Sequence, residues 1–339
     1  MKKINLAILG ATGIVGREML KILEERKFPV KKIKLFAHKS EAGEIIGFNG
    51  EEVVVEEVKD NSFTDIDVTL VAVSNEVSKK LMPLITESGS IAIDNSSAFR
   101  LVDDVPLVVP EINPDAVLKH KGIIASPNCS TIIGLVAINE INKYAEIERM
   151  IVSTYQAVSG EGVNGISELE EQTRAVLNSE EYLPEIFDHV ISFNVIPSID
   201  IPQDNGFTKE EMKMVNEGRK ILDNPNLRVN CTCVRVPVIR SHSESITIET
   251  KKEISVEKAR ELLSNAKGVK LVDDLANKKY PMPLDTSGQD LVYVGRIRKD
   301  ISRDDGKSLS LWCCGDQIRK GAATNTIQIA ELLIEKNLV

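Results

Sequence analysis

The feature that most constrains the fold of this chain is a glycine-rich segment, residues 10–16, with the sequence GATGIVG. The apolar run Ile4–Leu9 leads into it, and apolar residues at helical spacing follow it up to Leu23. A strand, a tight turn and a helix in this order bring the backbone close to a pyrophosphate at the helix N-terminus. The alternative is a plain glycine-rich turn. The position of the segment favours a dinucleotide site formed by Gly10, Thr12, Gly13, Ile14, Val15 and Gly16.

The pattern of predicted strands and helices changes near residue 129. Before it, short apolar runs alternate with helical or loop segments, which predicts an α/β domain with a Rossmann-like parallel sheet. After it, longer strand-like runs with few helices predict an α+β domain with a largely antiparallel sheet. The segment 322–333 predicts a C-terminal helix that returns to the first domain. We therefore expect a nucleotide-binding domain of residues 1–128 and 319–339, and a catalytic and dimerisation domain of residues 129–318.

The composition excludes several classes of partner. The 339 residues are 42% hydrophobic and carry a formal net charge of −9, whereas a nucleic acid or a membrane surface would require a large basic face. No stretch approaches the roughly 20 apolar residues that a membrane span needs. The five cysteines include no Cys-x-x-Cys pair, so neither a disulfide framework nor a metal site is predicted. We expect a cytoplasmic location, where thiols stay reduced.

The end of the second predicted strand bears on the choice of cofactor. An NAD enzyme usually has Asp or Glu there, about 20 residues past the last glycine, to bind the ribose 2′-OH. Here the strand ends in His38, Lys39 and Ser40, and the first acid is Glu41. A cation and a hydroxyl suit a 2′-phosphate, so the sequence predicts NADP rather than NAD. The alternative is that Lys39 is a solvated surface charge.

Cys129 is the candidate nucleophile. It follows an apolar strand and precedes an apolar run that can form a buried helix, so its thiol is expected at a helix N-terminus. There the helix dipole and free N–H groups lower a thiol pKa and can hold an oxyanion. The alternative reading of a lone cysteine is a small buried hydrophobe. Four others lie in strand-like runs and are interpreted as packing residues: Cys231, Cys233, Cys313 and Cys314.

A thiolate beside a nicotinamide also needs a general acid or base, and the chain has four histidines. His242 follows a strand-like run that includes Arg235, and we expect it just beyond the strand end in a polar loop. A histidine in such a loop is usually only a surface residue. His120 and His189 have no comparable neighbours, and His38 lies by the predicted nucleotide site.

Several segments in the same order resemble the aspartate-semialdehyde dehydrogenase family, and the resemblance covers nearly the whole chain. The loop 10–16 is similar to the family's opening glycine loop, and PNCS at 127–130 resembles its nucleophile motif. Arg235 and His242 have the spacing of the family's carboxylate-binding arginine and acid/base histidine. The other similar segments are DNSSAFR at 94–100, TYQAVSG at 154–160, EEMK at 210–213, VGRIR at 294–298 and RKGAATN at 319–325.

The resemblance implies an NADP-dependent, phosphorylating oxidoreductase. The implied reaction is the reversible reductive dephosphorylation of L-aspartyl 4-phosphate to L-aspartate 4-semialdehyde through a cysteine thioester. It belongs to the aspartate pathway of amino-acid biosynthesis, which leads to threonine, methionine, isoleucine and, through diaminopimelate, lysine. The family also implies a homodimer or a dimer of dimers, with aspartyl phosphate and phosphate as the small-molecule substrates.

The resemblance further implies a role for each matching residue. The nucleophile, the substrate-orienting amide and the general acid/base are Cys129, Gln156 and His242. The residues for the substrate's α-carboxylate and ammonium groups are Arg235 and Glu210. The phosphate is assigned to Arg100 and Lys213, assisted by Asn128. The further cofactor contacts are Lys39, Ser40, Ser74, Ser159, Gly160 and Gln317.

Helical spacing supports part of the substrate site independently. Thr208 and Glu211 have the spacing of a capping box, which leaves Glu210 to face a substrate. Glu210 and Lys213 are three residues apart, so they share one helix face, as a common substrate requires. The alternative is a surface salt bridge, which is frequent on exposed helices.

Three positions depart from the family pattern, and three other functions compete with it. Ser241 stands where a glycine is expected, Ser74-Asn75 where a glycine-containing turn is usual, and Gln317 where asparagine is common. One alternative is a related reductase acting on malonyl-CoA or N-acetyl-glutamyl phosphate. A second is glyceraldehyde-3-phosphate dehydrogenase, which the Cys129 motif fits poorly. The third is a catalytically silent dinucleotide-binding paralogue.

Overall fold

The computed structural model describes residues 2–339, which divide into two compact units. The first unit extends to Asn128 and includes Ala322–Val339, and the second is Cys129–Gly321. Among residues 2–339, no helix combines the length and the apolar character needed to cross a membrane.

The first unit is built on a seven-stranded sheet in the order β3-β4-β2-β1-β5-β6-β7. All neighbouring strands are parallel except the β3–β4 hairpin at one edge. The elements are β1 (Ile4–Leu9), α1 (Ile14–Glu25), β2 (Val30–Ala37), β3 (Ile45–Phe48), β4 (Glu51–Glu57), β5 (Val68–Val71), α2 (Asn75–Glu87), β6 (Ile91–Asp94) and β7 (Ile123–Ala125).

The predicted Rossmann-like sheet with a returning C-terminal helix is confirmed. Strands β5 and β6 are buried along their whole length, as expected for parallel strands that are covered on both faces. The C-terminal helix Thr324–Glu335 packs against α1, β5 and β6 and buries Ile327 and Leu333. The β3–β4 hairpin was not predicted, because β4 has the charged, largely exposed sequence EEVVVEE of an edge strand.

The second unit is built on a six-stranded sheet in the order β11-β12-β13-β10-β8-β9. Its three central pairings, which join β12, β13, β10 and β8, are antiparallel, and the outermost pair on each side is parallel. The elements are α3 (Cys129–Ala145), β8 (Ile147–Gln156), α4 (Gly162–Leu177), α5 (Lys209–Ile221), β9 (Arg228–Arg235), β10 (His242–Thr250), α6 (Val256–Ser264), β11 (Val269–Leu271), α7 (Pro283–Thr286), β12 (Val292–Lys299) and β13 (Ser308–Gly315).

Helices α3, α5 and α6 cover one face of this sheet. Along β8, Met150, Val152 and Gln156 are buried, whereas Ile151 and Tyr155 alternate with them and are exposed. The ring of Tyr155 lies 5.2 Å from that of Trp312, and on this second face α7 contacts β13 and Trp312 donates its Nε1–H to the carbonyl oxygen of Pro281. The predicted α+β architecture is therefore confirmed, and the second face of its sheet is exposed at Ile151 and Tyr155.

Glu244 is a fully buried acid in β10, between Thr154 of β8 and Cys313 of β13. A Cβ atom on Gly134 of α3 would lie 2.5 Å from its Oε2 atom, so only glycine admits the carboxyl there. Within the described part of the chain, neither carboxyl oxygen has a hydrogen-bond partner. Burial therefore raises the pKa of Glu244 well above its usual value and keeps the side chain neutral.

We expect Glu244→Gln to become increasingly more stable than the wild type as the pH rises. The folded protein retains the Glu244 proton at pH values where the unfolded chain has lost it, so each rise in pH above about 4.5 lowers stability. This slope is about 1.4 kcal/mol per pH unit while the difference persists, and glutamine removes it. Thermal unfolding from pH 5 to pH 8 measures the effect. A melting-temperature difference independent of pH contradicts it, and the exposed Glu253→Gln is the matched control.

Candidate active site

The glycine loop of the first unit brings α1 against the end of β1. Gly10 has a φ of +90°, and a Cβ atom there would lie 2.3 Å from the carbonyl oxygen of Ala72. A Cβ atom on Gly16 would lie 2.1 Å from the carbonyl oxygen of Gly10. Gly13 caps the helix N-terminus, and the helix begins at Ile14. Larger residues would push the loop and helix apart, so the close approach that a pyrophosphate requires depends on these glycines.

A cavity of about 550 Å³ lies beside this loop, where β1, β2 and β5 end. Its position at the carboxyl ends of parallel strands is where α/β sheets bind nucleotides. Five predicted cofactor residues line it: Gly10, Thr12, Gly13, Lys39 and Ser74. Ser40 is fixed nearby, with its hydroxyl 2.9 Å from Nδ1 of His38. His38, which we expected by the nucleotide site, also lines the cavity, together with three charged residues that were not predicted: Glu41, Glu57 and Lys80.

The departure at Ser74-Asn75 has a structural role. The Ser74 hydroxyl caps α2 by accepting a bond from the N–H of Val77 at 3.5 Å. Oδ1 of Asn75 accepts the backbone N–H of Ser97 at 2.8 Å, and its Nδ2 donates to the Ser97 hydroxyl at 2.9 Å. The two residues therefore tie the start of α2 to the segment that carries Arg100.

Arg100 is buried and held by backbone oxygens of the first unit. Its Nε donates to the carbonyl oxygen of Ser126 at 2.9 Å, and its Nη2 donates to that of Asn95 at 2.8 Å. Asn95 in turn accepts a bond of 2.7 Å from the hydroxyl of Thr326 on the C-terminal helix. Asn128, the other predicted phosphate ligand of this unit, is also buried.

Cys129 is the first residue of α3, as the sequence predicts, and it is partly exposed. The other four cysteines are buried, and burial raises the pKa of the Cys313 thiol. Gly321 packs directly on Cys129, because a Cβ atom at 321 would lie 2.7 Å from the cysteine Cβ. Cys129 is therefore the accessible thiol of this chain, and Gly321 fixes its position.

His242 is the first residue of β10 and is fully buried, so the expectation that it lies in a polar loop beyond a strand is wrong. The pairing of β10 with β8 and β13 draws it into the sheet, which a local pattern could not indicate. Its Nδ1 accepts the backbone N–H of Ala157 at 3.0 Å. Burial and the nearby Arg235 lower its pKa well below the usual value. We assign a neutral imidazole with its proton on Nε2.

Gln156 lies between the histidine and an acidic residue. Its Oε1 accepts a bond of 3.0 Å from the hydroxyl of Thr154, and its Nε2 donates to Glu210 at 3.2 Å. The same Nε2 lies 3.5 Å from Nε2 of His242. The amide is therefore fixed at both ends, and it brings together two residues that the sequence associates only through the family resemblance.

The predicted capping box at the start of α5 is confirmed. Thr208 and Glu211 exchange bonds with each other's backbone N–H groups, and Glu210 is left to face Gln156. Lys213 lies 2.7 Å from Glu210, and side-chain exposures of 18% and 7% exclude a surface salt bridge. Lys213 also lies 2.9 Å from Asp200, which sequence reasoning missed. Burial lowers the pKa of Lys213, but the two carboxylates outweigh it and raise that pKa.

Arg235 ends β9, next to Gln156 in the parallel pairing with β8. Its Nη1 donates to the carbonyl oxygen of Ala157 at 2.8 Å, and its Nη2 lies 2.5 Å from Oε1 of Glu161. A Cβ atom on Gly160 would lie 2.7 Å from Nη1, so Gly160 must be small to admit the guanidinium. Sequence reasoning missed Glu161, because it lies in the short 3-10 helix Val158–Glu161 after β8 and meets Arg235 only through the fold.

The departures at Ser241 and Gln317 belong together. Ser241 has a φ of +78°, a left-handed conformation that a glycine would adopt more easily. Oε1 of Gln317 accepts the Ser241 N–H at 2.8 Å, and the Gln317 Nε2 donates to the hydroxyl of Ser159. These bonds hold the backbone immediately before His242, so Gln317 has a structural task besides any contact with a cofactor.

The residues described by the structure, 2–339, include no group of three His, Cys, Asp or Glu side chains arranged to hold a metal ion. The groups gathered at the ends of β8, β9 and β10 are a neutral imidazole, a fixed amide and a buried guanidinium with its carboxylate partner.

Known proteins contain domains that match each of these two units. A family model for the semialdehyde dehydrogenase NAD-binding domain matches residues 5–120, and one for the semialdehyde dehydrogenase dimerisation domain matches residues 139–320. Aspartate-semialdehyde dehydrogenase from Aquifex aeolicus is 51% identical, over 99% of this chain and 99% of its own. The protein of that name from Prochlorococcus marinus is 46% identical, over 99% and 97%.

Solved structures agree. The crystal structure of aspartate semialdehyde dehydrogenase II from Vibrio cholerae has a TM-score of 0.96 and 44% identity, over 98% of this chain and 99% of that one. A second structure of that protein, complexed with ASA, has the same TM-score and identity. The chain is therefore an oxidoreductase of the semialdehyde dehydrogenase class. It belongs to the aspartate-semialdehyde dehydrogenase family, which confirms the resemblance seen in the sequence.

We expect Gly321→Ala to impair the thiol without unfolding the protein. A methyl group at 321 would meet Cys129 at 2.7 Å, so the cysteine must move, and displacement of a reacting group by about 1 Å can cost about 10²-fold in rate. The measurements are kcat and the rate at which Cys129 is labelled by a thiol reagent. Gly218→Ala is the control, since a Cβ atom there meets its nearest neighbour at 3.9 Å. Unchanged kcat and labelling in Gly321→Ala would refute the contact.

Proposed function

We propose that the chain catalyses the NADP-dependent, reversible reductive dephosphorylation of L-aspartyl 4-phosphate to L-aspartate 4-semialdehyde. The observation that carries this proposal is a buried group beside Arg235 in the second unit, in which Gln156 donates to Glu210 and its amide nitrogen lies 3.5 Å from Nε2 of His242. This group combines a protonated Nε2 and a neutral amide, which can bind a reacting oxygen, with one cation and one anion. The cation and the anion match the carboxylate and ammonium groups of an amino-acid substrate. The Vibrio cholerae relative, whose structure was solved with ASA, supports the same substrate.

Cys129 is the proposed nucleophile. Its sulfur attacks the acyl carbon of aspartyl phosphate, the bond from that carbon to the phosphate oxygen breaks, and phosphate leaves with the bonding electrons. A thioester remains on Cys129. Its place at the start of α3 supports this role, because the helix dipole favours a thiolate and a developing oxyanion. NADPH, when bound, supplies the hydride that reduces the thioester. The carbon–sulfur bond then breaks, which releases the semialdehyde and returns Cys129 as a thiolate.

His242 acts mainly as a hydrogen-bond donor in this scheme. The N–H of Ala157 donates to Nδ1, so the neutral ring carries its proton on Nε2. An imidazolium would place a second N–H, on Nδ1, against the N–H of Ala157. A neutral imidazole can donate from Nε2 to the oxygen that becomes negative during reduction. Gln156, fixed by Thr154 and Glu210, orients the same part of the substrate.

The two ends of the substrate are assigned to different residues. Arg235 offers a planar fork to the α-carboxylate, and Glu210 accepts the ammonium group. Arg100, Asn128 and Lys213 are the proposed ligands of the phosphate. Lys213 is shared by Glu210 and Asp200, so its positive charge is partly engaged before any phosphate binds.

We assign NADP as the cofactor, bound by the glycine loop of the first unit. A Cβ atom at Gly10 or Gly16 would collide with backbone oxygens of the first unit, so this turn requires glycine, and the adjoining cavity of about 550 Å³ has Lys39 in its lining. Lys39 supports a 2′-phosphate, whereas Glu41 and Glu57 in the same lining oppose it. The lysine and Ser40 are the residues that would select NADP over NAD. Contacts of Ser159, Gly160 and Gln317 with the cofactor are part of the same proposal.

We further propose that the chain forms a homodimer through the face of the second sheet that carries Tyr155 and Trp312. Tyr155, Ile151 and Trp312 lie on that face, and β-sheet faces of this kind bury apolar side chains against a partner. The match to a dimerisation domain over residues 139–320 supports a second copy as that partner.

The reaction is tested by offering three aldehydes in parallel, with phosphate and either NADP or NAD. These are aspartate semialdehyde, glyceraldehyde 3-phosphate and N-acetyl-glutamate semialdehyde. We expect phosphate-dependent reduction of NADP with aspartate semialdehyde, and at least tenfold lower kcat/KM with the other aldehydes or with NAD.

Cys129→Ala should abolish turnover and still bind NADP, whereas Cys231→Ala, which changes a packing residue, should retain turnover. Preference for another aldehyde would assign a different substrate.

The substrate roles predict opposite changes in two Michaelis constants. In the aldehyde-oxidising direction, phosphate and the semialdehyde are separate substrates. Arg100→Ala should raise KM for phosphate far more than KM for the semialdehyde, and Arg235→Lys should do the reverse, because lysine cannot form a bidentate fork. Charge-assisted bonds worth about 1.5–3 kcal/mol give shifts of roughly ten- to a hundredfold. A phosphate KM within twofold of wild type in Arg100→Ala removes that role.

A further inference from the structure

The ion pair between Arg235 and Glu161 occupies the group assigned to the substrate's carboxylate. Nη2 of Arg235 and Oε1 of Glu161 are 2.5 Å apart. The other guanidinium end donates to the carbonyl oxygen of Ala157 at 2.8 Å, and the ring of Phe187 lies 5.7 Å from the guanidinium carbon. Glu161 is therefore a carboxylate of this chain in the position where a substrate carboxylate would bind.

Arg235 and Glu161 differ in burial and in the number of contacts that hold them. The side chain of Arg235 is 5% exposed and fixed by backbone, by Gly160 and by Phe187, whereas that of Glu161 is 44% exposed. A buried guanidinium without a counter-ion is costly, but an exposed carboxylate loses little when it returns to water. The pair can therefore open by movement of Glu161 alone.

Space for an incoming group adjoins the pair. A cavity of about 80 Å³ is lined by Arg235 and Glu161 and, on the other walls, by the acids Asp188 and Asp200. A carboxylate that enters this cavity would meet one cation, Arg235, and would be repelled by the acids unless one of them withdrew. Glu161 is the acid in direct contact with that cation.

We infer that Glu161 is an internal competitor for Arg235, which holds the guanidinium in the free protein and is displaced by the substrate's α-carboxylate. This inference rests on the proposed carboxylate role of Arg235. The affinity for substrate is then set by the difference in strength between two ion pairs, and Glu161 weakens substrate binding while it pairs with the Arg235 guanidinium in the empty site. Once the substrate is bound, Glu161 has left, so the chemical step does not depend on it.

The test compares Glu161→Gln with the wild type by two readouts. Glutamine keeps the size of the side chain but loses the charge, so we expect KM for aspartate semialdehyde to fall three- to tenfold while kcat stays within twofold. Calorimetric titration with succinate and with L-aspartate, which need no turnover, should show tightening by the same factor. Glu170→Gln on α4, which changes an acid paired with Arg174, is the matched control and should change neither readout.

The outcomes are distinct. Weaker binding of both titrants would make Glu161 a support for Arg235 and overturn the inference. Weaker binding of L-aspartate alone would make it a ligand for the ammonium group, which also overturns it. Affinities unchanged within 1.5-fold would show that no competition exists. If the wild type does not turn over aspartate semialdehyde, the proposed function fails, and the succinate titration still decides the inference about Glu161.

Discussion

The second unit depends on ionisable groups that are removed from water at the ends of β8, β9 and β10 and on α5. A charge removed from water is costly unless it is paired, and the alternative is to become neutral. Arg235 and Lys213 stay charged and are paired with carboxylates at 2.5 to 2.9 Å. His242 and Glu244 are neutral, because burial shifts both pKa values towards the neutral form. Stability and chemistry therefore draw on the same few residues.

The register of the sheet brings these groups together. Because β8 is parallel to β9 and antiparallel to β10, the carboxyl ends of the first two strands meet the amino end of the third. Gln156, Arg235 and His242 are the end residues of these strands. The backbone of Ala157 then serves two of them, since its N–H binds the imidazole and its carbonyl oxygen binds the guanidinium. One residue of irregular backbone thus positions both a proton and a charge.

Local patterns in the sequence predicted the features that depend on local geometry. The glycine loop, the helix that begins at Cys129 and the Thr208–Glu211 capping box each follow from residues close together in the chain. The burial of His242 was not predictable, because it depends on strands paired across roughly 70 to 90 residues of sequence. The same holds for Asp200, whose partner Lys213 gives no local sign of it. Most strands could be predicted from apolar runs in the sequence. The buried contacts of the site could not, because they depend on the register in which distant strands pair.

The charges at the site balance only if one acid withdraws when the substrate binds. In the free protein, three acids, Glu161, Glu210 and Asp200, contact two cations, Arg235 and Lys213, which leaves one excess negative charge. Aspartate semialdehyde brings one ammonium and one carboxylate, so its binding alone leaves that excess in place. Departure of the partly exposed Glu161 makes the count three against three. Burial under a bound substrate penalises any uncompensated charge, so the electrostatics of the site favour the exchange of one carboxylate for another.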